Sequence, residues 1–169
     1  MGLQQINVVY DASQDRLLVR MNTSERVEYR FWITRRLVKG LWQGLMQLMQ
    51  STETARRQTM PSGKQAVVEF EREAALRKTT FDKPYAAEEM QPAMPGDPLL
   101  VFSINMRTLA EGGHDITMLP SSGPGFHLRF SDTLLHGFAK LLQDAVKNSG
   151  WDLPLELPST SAVQQRALN

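Results

Sequence analysis

Cysteine is absent from the 169 residues, so the chain can form no disulfide, cysteine-ligated zinc site, iron–sulfur cluster or thiol nucleophile. Long apolar runs are absent too, because no stretch approaches the roughly 20 residues that a membrane-spanning helix needs. Residues 1–7 lack the basic and apolar regions of a secretory signal. We therefore expect a cytoplasmic protein that has no membrane segment.

Signatures of catalysis are also lacking. Histidine occurs only at His114, His127 and His136, and no two of these have the i, i+4 spacing of a helical zinc site. No P-loop, glycine-rich dinucleotide fingerprint or nucleophile elbow occurs. The sequence predicts neither a metal nor a cofactor, and it favours a non-enzymatic function.

The net charge of +1 hides an asymmetry along the chain. Residues 1–64 carry ten basic and five acidic residues, whereas residues 65–169 carry nine basic and thirteen acidic residues. Thirteen of the 19 cations are arginine, which suits bidentate contacts with phosphate or carboxylate. Two interpretations follow: the two halves neutralise each other across one fold, or the first half presents a basic surface to an anionic partner.

Apolar periodicity predicts an N-terminal meander followed by helices. Apolar and polar residues alternate in three stretches between Ile6 and Ile33, separated by short polar turns, which is typical of antiparallel strands with one buried face. At Thr34 the period becomes helical, and a helix is predicted over 34–57. A second helix is predicted over 64–78, with Val67, Phe70 and Ala74 on one side, although part of it could form a strand.

The second half repeats the order of strands before helix. Residues 79–98 contain four prolines and fit no regular element. Alternation resumes over 100–110, 116–118 and 126–130, with a Gly-Gly hairpin between the first two stretches. Ser131 then caps a predicted final helix over 131–149, and a glycine follows it.

These elements predict a single α+β domain over 1–158 and a polar tail over 159–169. Two three-stranded antiparallel units would form one sheet, a sandwich or a partly open barrel, packed with two main helices and one lesser helix. The order of elements resembles the head domain of eukaryotic end-joining scaffold proteins. This resemblance concerns element order alone, so it implies no residue role and no function.

An arginine-rich sheet face is the leading candidate site. Six arginines occupy outward positions of the predicted strands, and Trp32 shares that parity; they are Arg16, Arg20, Arg26, Arg30, Arg107 and Arg129. Arginines beside an aromatic side chain can hold single-stranded nucleic acid through phosphate contacts and base stacking. The sequence thus predicts a binding or scaffold protein that recognises an anionic partner such as nucleic acid. The ordinary alternative is a solvated face whose arginines pair across strands.

The start of the first helix is a second candidate. Arg35 and Arg36, followed by Lys39, place cations where the helix dipole is already positive, so a bound anion would be favoured there. An enzyme that acts on a small anionic substrate is therefore an alternative function, with 79–98 as its lid. Alternatively, both arginines bend back to acidic neighbours.

A third interpretation is a protein–protein adaptor. Gly40 and Gly44 lie in a helix interior, where each glycine costs roughly 1 kcal/mol relative to alanine, so another element should pack closely against them. That element would be a helix of the same fold, or a partner protein or second copy of this chain. Met90 and Met94, in the proline-rich loop, offer an adaptable contact surface.

Overall fold

A computed structural model describes residues 2–52, 57, 59–78, 84–86 and 90–156. Within these ranges the chain is an α+β protein. Its elements, in order, are β1 (Leu3–Asp11), β2 (Arg16–Thr23), β3 (Val27–Thr34), α1 (Arg35–Gln50), α2 (Pro61–Lys78), β4 (Gln91–Pro92), β5 (Leu99–Leu100), β6 (Ser103–Thr108), β7 (His114–Leu119), β8 (Phe126–Phe130) and α3 (Asp132–Ser149). The predicted tail over 159–169 lies outside the described residues.

The predicted N-terminal meander is confirmed as the antiparallel part of a larger sheet. β1 pairs with β2, and β2 pairs with β3. The turns between them use Asp15 and Arg26, both with positive φ. β4 and β5 then pair in parallel with β3, which makes this sheet mixed rather than wholly antiparallel. The prediction of no regular element over 79–98 is wrong at β4, because the N–H groups of Gln91 and Ala93 donate to Arg26 O and Glu28 O; residues 79–83 and 87–89 are not described.

The second three-stranded unit is a separate antiparallel sheet, β6-β7-β8. The predicted Gly-Gly hairpin is confirmed, with positive φ at Gly112 and Gly113. The continuous strand predicted over 100–110 is wrong, because the chain leaves the larger sheet after Leu100 and enters the smaller one at Ser103. The two sheets do not close into a barrel. Phe126 joins them, with its ring 5.1 Å from that of Tyr29.

The first two helices differ from their predicted bounds. α1 ends at Gln50 rather than near residue 57, and the N–H of Ser51 closes it by donating to Leu48 O. α2 begins at Pro61, because proline is favoured in the first helical turn, where its missing N–H is not needed. Its buried residues are Val68 and Ala75, so the apolar side predicted for this helix is wrong: Phe70 is 72% exposed.

The final helix is confirmed. Its cap is Ser131, whose Oγ accepts a hydrogen bond from Leu134 N, and Gly150 ends it in the left-handed conformation. α3 packs against α1, α2 and β1 around one apolar core. After it, residues 151–156 return across the molecule; we call them the C-terminal strap. Among the described residues, no helix combines the length and apolar character needed to cross a bilayer.

Candidate functional site

The six predicted arginines do not share one face, because the strands that carry them belong to two sheets. Arg107 and Arg129 lie on the outer face of the smaller sheet. Arg107 Nε is 3.1 Å from Asp115 Oδ2, and Arg129 forms an ion pair with Glu111. The expectation of a single arginine face is therefore wrong. That expectation required all the strands to belong to one sheet. The chain instead passes from the larger sheet to the smaller one between Leu100 and β6.

Three of the arginines do lie together on the outer face of the larger sheet. In the register of β2 with β3, Arg20 is opposite Arg30, and Arg16 is opposite Thr34. The apolar residues that alternate with these arginines along β2 and β3 face the core. Among them, Leu17, Val19 and Phe31 are fully buried. Arg26 is exposed in the β2–β3 turn instead of on this face.

An apolar row crosses the same face between the arginines. Val9 is paired with Leu18, Leu18 with Trp32, and Trp32 with Leu100, so four side chains stand side by side across four strands. Val9 and Leu100 are each 45% exposed. We call these four residues the apolar row. The prediction from the sequence included the outward arginines but did not identify the apolar row. The alternation along the strands nevertheless places Val9, Leu18 and Trp32 on the outward side.

On one side of the apolar row, Arg20 is held by neutral groups. Its guanidinium donates to Asn7 Oδ1 at 3.0 and 3.3 Å, and Cζ lies 4.7 Å from the centre of the Tyr85 ring. The segment 84–86 thus lies over this edge of the face. Burial raises the pKa of Tyr85, and the Glu28 carboxylate raises it further, so the phenol remains neutral.

Arg30 stands beside Arg20 on this flank. Its Nη2 donates to Gly96 O at 2.6 Å, and its Nε is 3.9 Å from Glu28 Oε2. The other oxygen of Glu28 is buried and has no hydrogen-bond partner among the described residues. Arg30 therefore receives partial neutralisation from one carboxylate, whereas Arg20 receives none from the described residues.

On the other side of the apolar row, the face continues into a groove at the start of α1. Arg36, Leu37, Leu100 and Phe102 contribute to its walls. Phe102 is 61% exposed. Among the described residues, the side chains of Arg16 and Arg36 make no ion pair and no hydrogen bond. This flank therefore combines apolar walls with the cations Arg16 and Arg36, and Asp11 lies opposite Arg16 in the register of β1 with β2.

The cations at the start of α1 do not converge. Arg35 Nη2 donates to Asp152 O of the C-terminal strap at 3.2 Å, whereas Arg36 lines the groove. Lys39 is exposed one turn later. Thr34 occupies the N-cap position, as predicted, but its side chain makes no capping hydrogen bond.

The two glycines of α1 have different surroundings. A Cβ at Gly44 would collide with Met106 Cε, so the close approach there is made by strand β6 of the same chain, and the expectation of a helix is wrong. A Cβ at Gly40 would meet nothing within 4 Å. In the 90–98 stretch, Met90 is half-buried and Met94 is exposed.

Two of the three histidines lie in the interior, whereas His127 is exposed. His114 and His136 are each 1% exposed. His114 Nε2 lies 2.8 Å from Asp132 Oδ1, and its Nδ1 lies 3.3 Å from Thr108 Oγ1. Neither ring nitrogen of His136 has a hydrogen-bond partner among the described residues, and burial lowers its pKa to about 4. Both imidazoles are thus shielded from any dissolved substrate.

Within the described ranges, no three histidine, aspartate or glutamate side chains come together in a way that could hold a metal ion. No protein-family model matches the chain. Neither a curated protein nor a solved structure is significantly similar to it.

Proposed function

We propose that this chain is a non-enzymatic binding or scaffold protein that holds an acidic segment of a partner protein on the outer face of its larger sheet. The observation that carries the proposal is the apolar row with arginines on both sides. Arg20 and Arg30 lie on one side, and Arg16 and Arg36 lie on the other.

The apolar row supplies the area that a partner would bury. Its ends, Val9 and Leu100, are exposed, and Leu18 and Trp32 between them are half-buried. Contiguous apolar surface rimmed by polar residues is typical of protein interaction sites. Neighbouring strands lie about 4.8 Å apart, so the four residues form a stripe about 14 Å long. The exposed ring of Phe102 extends this apolar surface at one end. Arginine and aromatic residues are also the types that most often dominate interface energetics.

The arginines supply the charge preference. Guanidinium groups form bidentate, charge-assisted hydrogen bonds with carboxylates, which favours an acidic partner. The outer face of the smaller sheet gives an internal contrast, because Arg107 and Arg129 there already have carboxylate partners. Arg16 and Arg36 make no such pair among the described residues, so they remain available.

Two alternative functions receive less support. Single-stranded nucleic acid is held by aromatic platforms for successive bases, but the centre of this face is mainly aliphatic and contains only one aromatic residue, Trp32. An enzyme at the start of α1 would need a general base within reach of its substrate. Among the residues that line the groove, Arg36 is the only titratable side chain. An acidic protein segment therefore fits best.

The proposal predicts that Arg16 and Arg36 control binding of an acidic probe. The probe is a fluorescein-labelled 16-residue peptide of leucine and glutamate, measured by anisotropy with the full chain. We expect Arg16→Gln/Arg36→Gln to weaken binding about tenfold, which corresponds to about 1.4 kcal/mol. The matched double change Arg107→Gln/Arg129→Gln removes the same charge from the smaller sheet and should leave the affinity unchanged.

Equal weakening by both double variants would contradict the proposal, because it would indicate attraction to net charge alone. A (dT)20 oligonucleotide is the competing probe. If it binds the wild-type chain more tightly than the peptide does at the same salt concentration, the partner is a nucleic acid and the proposed class is wrong. Circular dichroism of each variant establishes that it is folded.

A further inference from the structure

We infer that the acidic segment is an amphipathic α-helix of about three turns that lies along the apolar row, across the strands. This inference rests on the proposed function, because it specifies the partner of the same face. Its basis is the spacing of the apolar row and of the arginines beside it, both of which the strand register determines.

The spacing along the apolar row matches a helix. Its side chains follow one another at about 4.8 Å, the distance between neighbouring strands. On a helix, residues three or four apart have Cβ atoms about 5–6 Å apart and lie on one face. An extended segment presents every second residue at about 6.6 Å, so it would lose register within the row. Since a helix rises about 1.5 Å per residue, about ten residues cover the stripe from Val9 to Leu100.

The width of the face matches a helix as well. Arg16 stands two residues from Leu18 on one side, and Arg20 stands two residues from it on the other. Two residues along a strand span about 6.6 Å, so the arginines flank the apolar row at about that distance. A helix with its side chains is about 10–12 Å across. Its acidic side chains would therefore reach arginines on both flanks while its apolar side faces the row.

Two aromatic residues bound this space. Tyr85 lies over Arg20 on one flank, and the exposed ring of Phe102 stands near Arg36 on the other. Leu18 and Trp32, the middle of the apolar row, lie between these two flanks in the register of β2 with β3. The partner therefore needs apolar residues at i, i+3 or i+4, i+7 and i+11, with glutamate or aspartate on both sides of that stripe.

The test compares two isomeric 16-residue peptides with the full chain. Both contain the same leucines, glutamates and alanines. One has its leucines at helical spacing, and the other has leucine and glutamate in alternation. We expect the helical isomer to bind at least about tenfold more tightly and to gain helical circular dichroism on binding. Leu100→Asp should weaken that binding about tenfold, whereas Asn105→Asp adds the same charge to the smaller sheet and should not.

The possible failures are distinguishable. Equal affinity of the two isomers, with Leu100→Asp still weakening both, would overturn the helical inference and leave the proposed function standing. Tighter binding of the alternating isomer would also overturn it, in favour of an extended partner. If neither peptide binds a correctly folded chain, both the inference and the proposed function are wrong.

Discussion

The burial of the His136 side chain lowers the stability of the folded protein. Its ring nitrogens have no hydrogen-bond partner among the described residues, and the nearest oxygen of Glu71 is 4.0 Å from Nε2. Its pKa is lowered to about 4, chiefly by burial; Asp132 opposes this shift, and the charges of Arg72 and His114 add to it. The unfolded chain binds a proton near pH 6.5, so it holds more protons than the folded chain between about pH 6.5 and pH 4. Folding stability contributed by this residue is therefore lost as the pH falls through that window.

Replacing this imidazole should remove the penalty. We expect His136→Leu to raise the free energy of unfolding at pH 7 by about 1 kcal/mol, because an unpaired buried polar group is replaced by an apolar one. The variant should also lose part of the decline in stability between pH 7 and pH 5, which is at most about 1.4 kcal/mol per pH unit for one proton. Urea denaturation at pH 7, 6 and 5 measures both effects. His127→Gln, at an exposed histidine, is the control, and an unchanged pH slope in His136→Leu would refute the assignment.

The glycines of α1 make a matched pair within one helix. Gly40→Ala places its Cβ in open space, so we expect it to stabilise the chain by about 0.5–1 kcal/mol through helix propensity. Gly44→Ala makes the same change, but its Cβ requires the terminal methyl of Met106 to move, so the gain should be reduced or reversed. Thermal denaturation of the two variants tests this difference. Equal stabilisation of both would show that Met106 moves aside at no cost.

Elements whose boundaries are set locally could be predicted from the sequence. α3 has a serine cap and a glycine stop, and every second residue of the β1–β2–β3 meander is apolar on its inward side, so both were predicted closely. β4 could not be predicted, because two residues form a strand only when β3 offers them hydrogen bonds. The buried side of α2 depends on which helix packs against it, and the periodicity of its own sequence does not determine that choice.

Part of the candidate site could be predicted, because alternation within one strand is a local property of the sequence. Parity within one strand places Arg16, Arg20, Arg30 and Trp32 outward, and the larger sheet brings them together. Parity does not reveal which strands share a sheet, so Arg107 and Arg129 were grouped with them wrongly. The pairing of Trp32 with Leu100 completes the apolar row. These two residues are far apart in the sequence and become neighbours only when β5 pairs with β3.

At the scale of the whole molecule, the C-terminal strap ties the last described residues to the first hairpin. Trp151 Nε1 donates to Asp15 Oδ1 at 2.6 Å, and its ring meets that of Tyr10 edge-on at 5.7 Å. The hydrogen bonds from Trp151 and Tyr10 lower the pKa of Asp15. Further along the strap, Glu156 O accepts a hydrogen bond from Trp42 Nε1 of α1.

Removing the anchor of the strap should destabilise the fold. We expect Trp151→Ala to lower the free energy of unfolding by about 1–3 kcal/mol, less than for a fully buried tryptophan because the ring is only half-buried. Urea denaturation measures the change. Glu156→Ala is the matched control, because this residue contributes its backbone carbonyl to Trp42 and its side chain is exposed. A loss of the same size in the control would contradict the role of Trp151.

The packing of α3 against β1 has a consequence for how the protein is made in the cell. A ribosome releases β1 first and α3 last, and synthesis proceeds at about 5–20 residues per second. The inner face of the nascent sheet therefore remains uncovered by α3 for a time on the order of ten seconds. Throughout that interval its strands can pair with other nascent chains, because the core closes only after α3 has been synthesised.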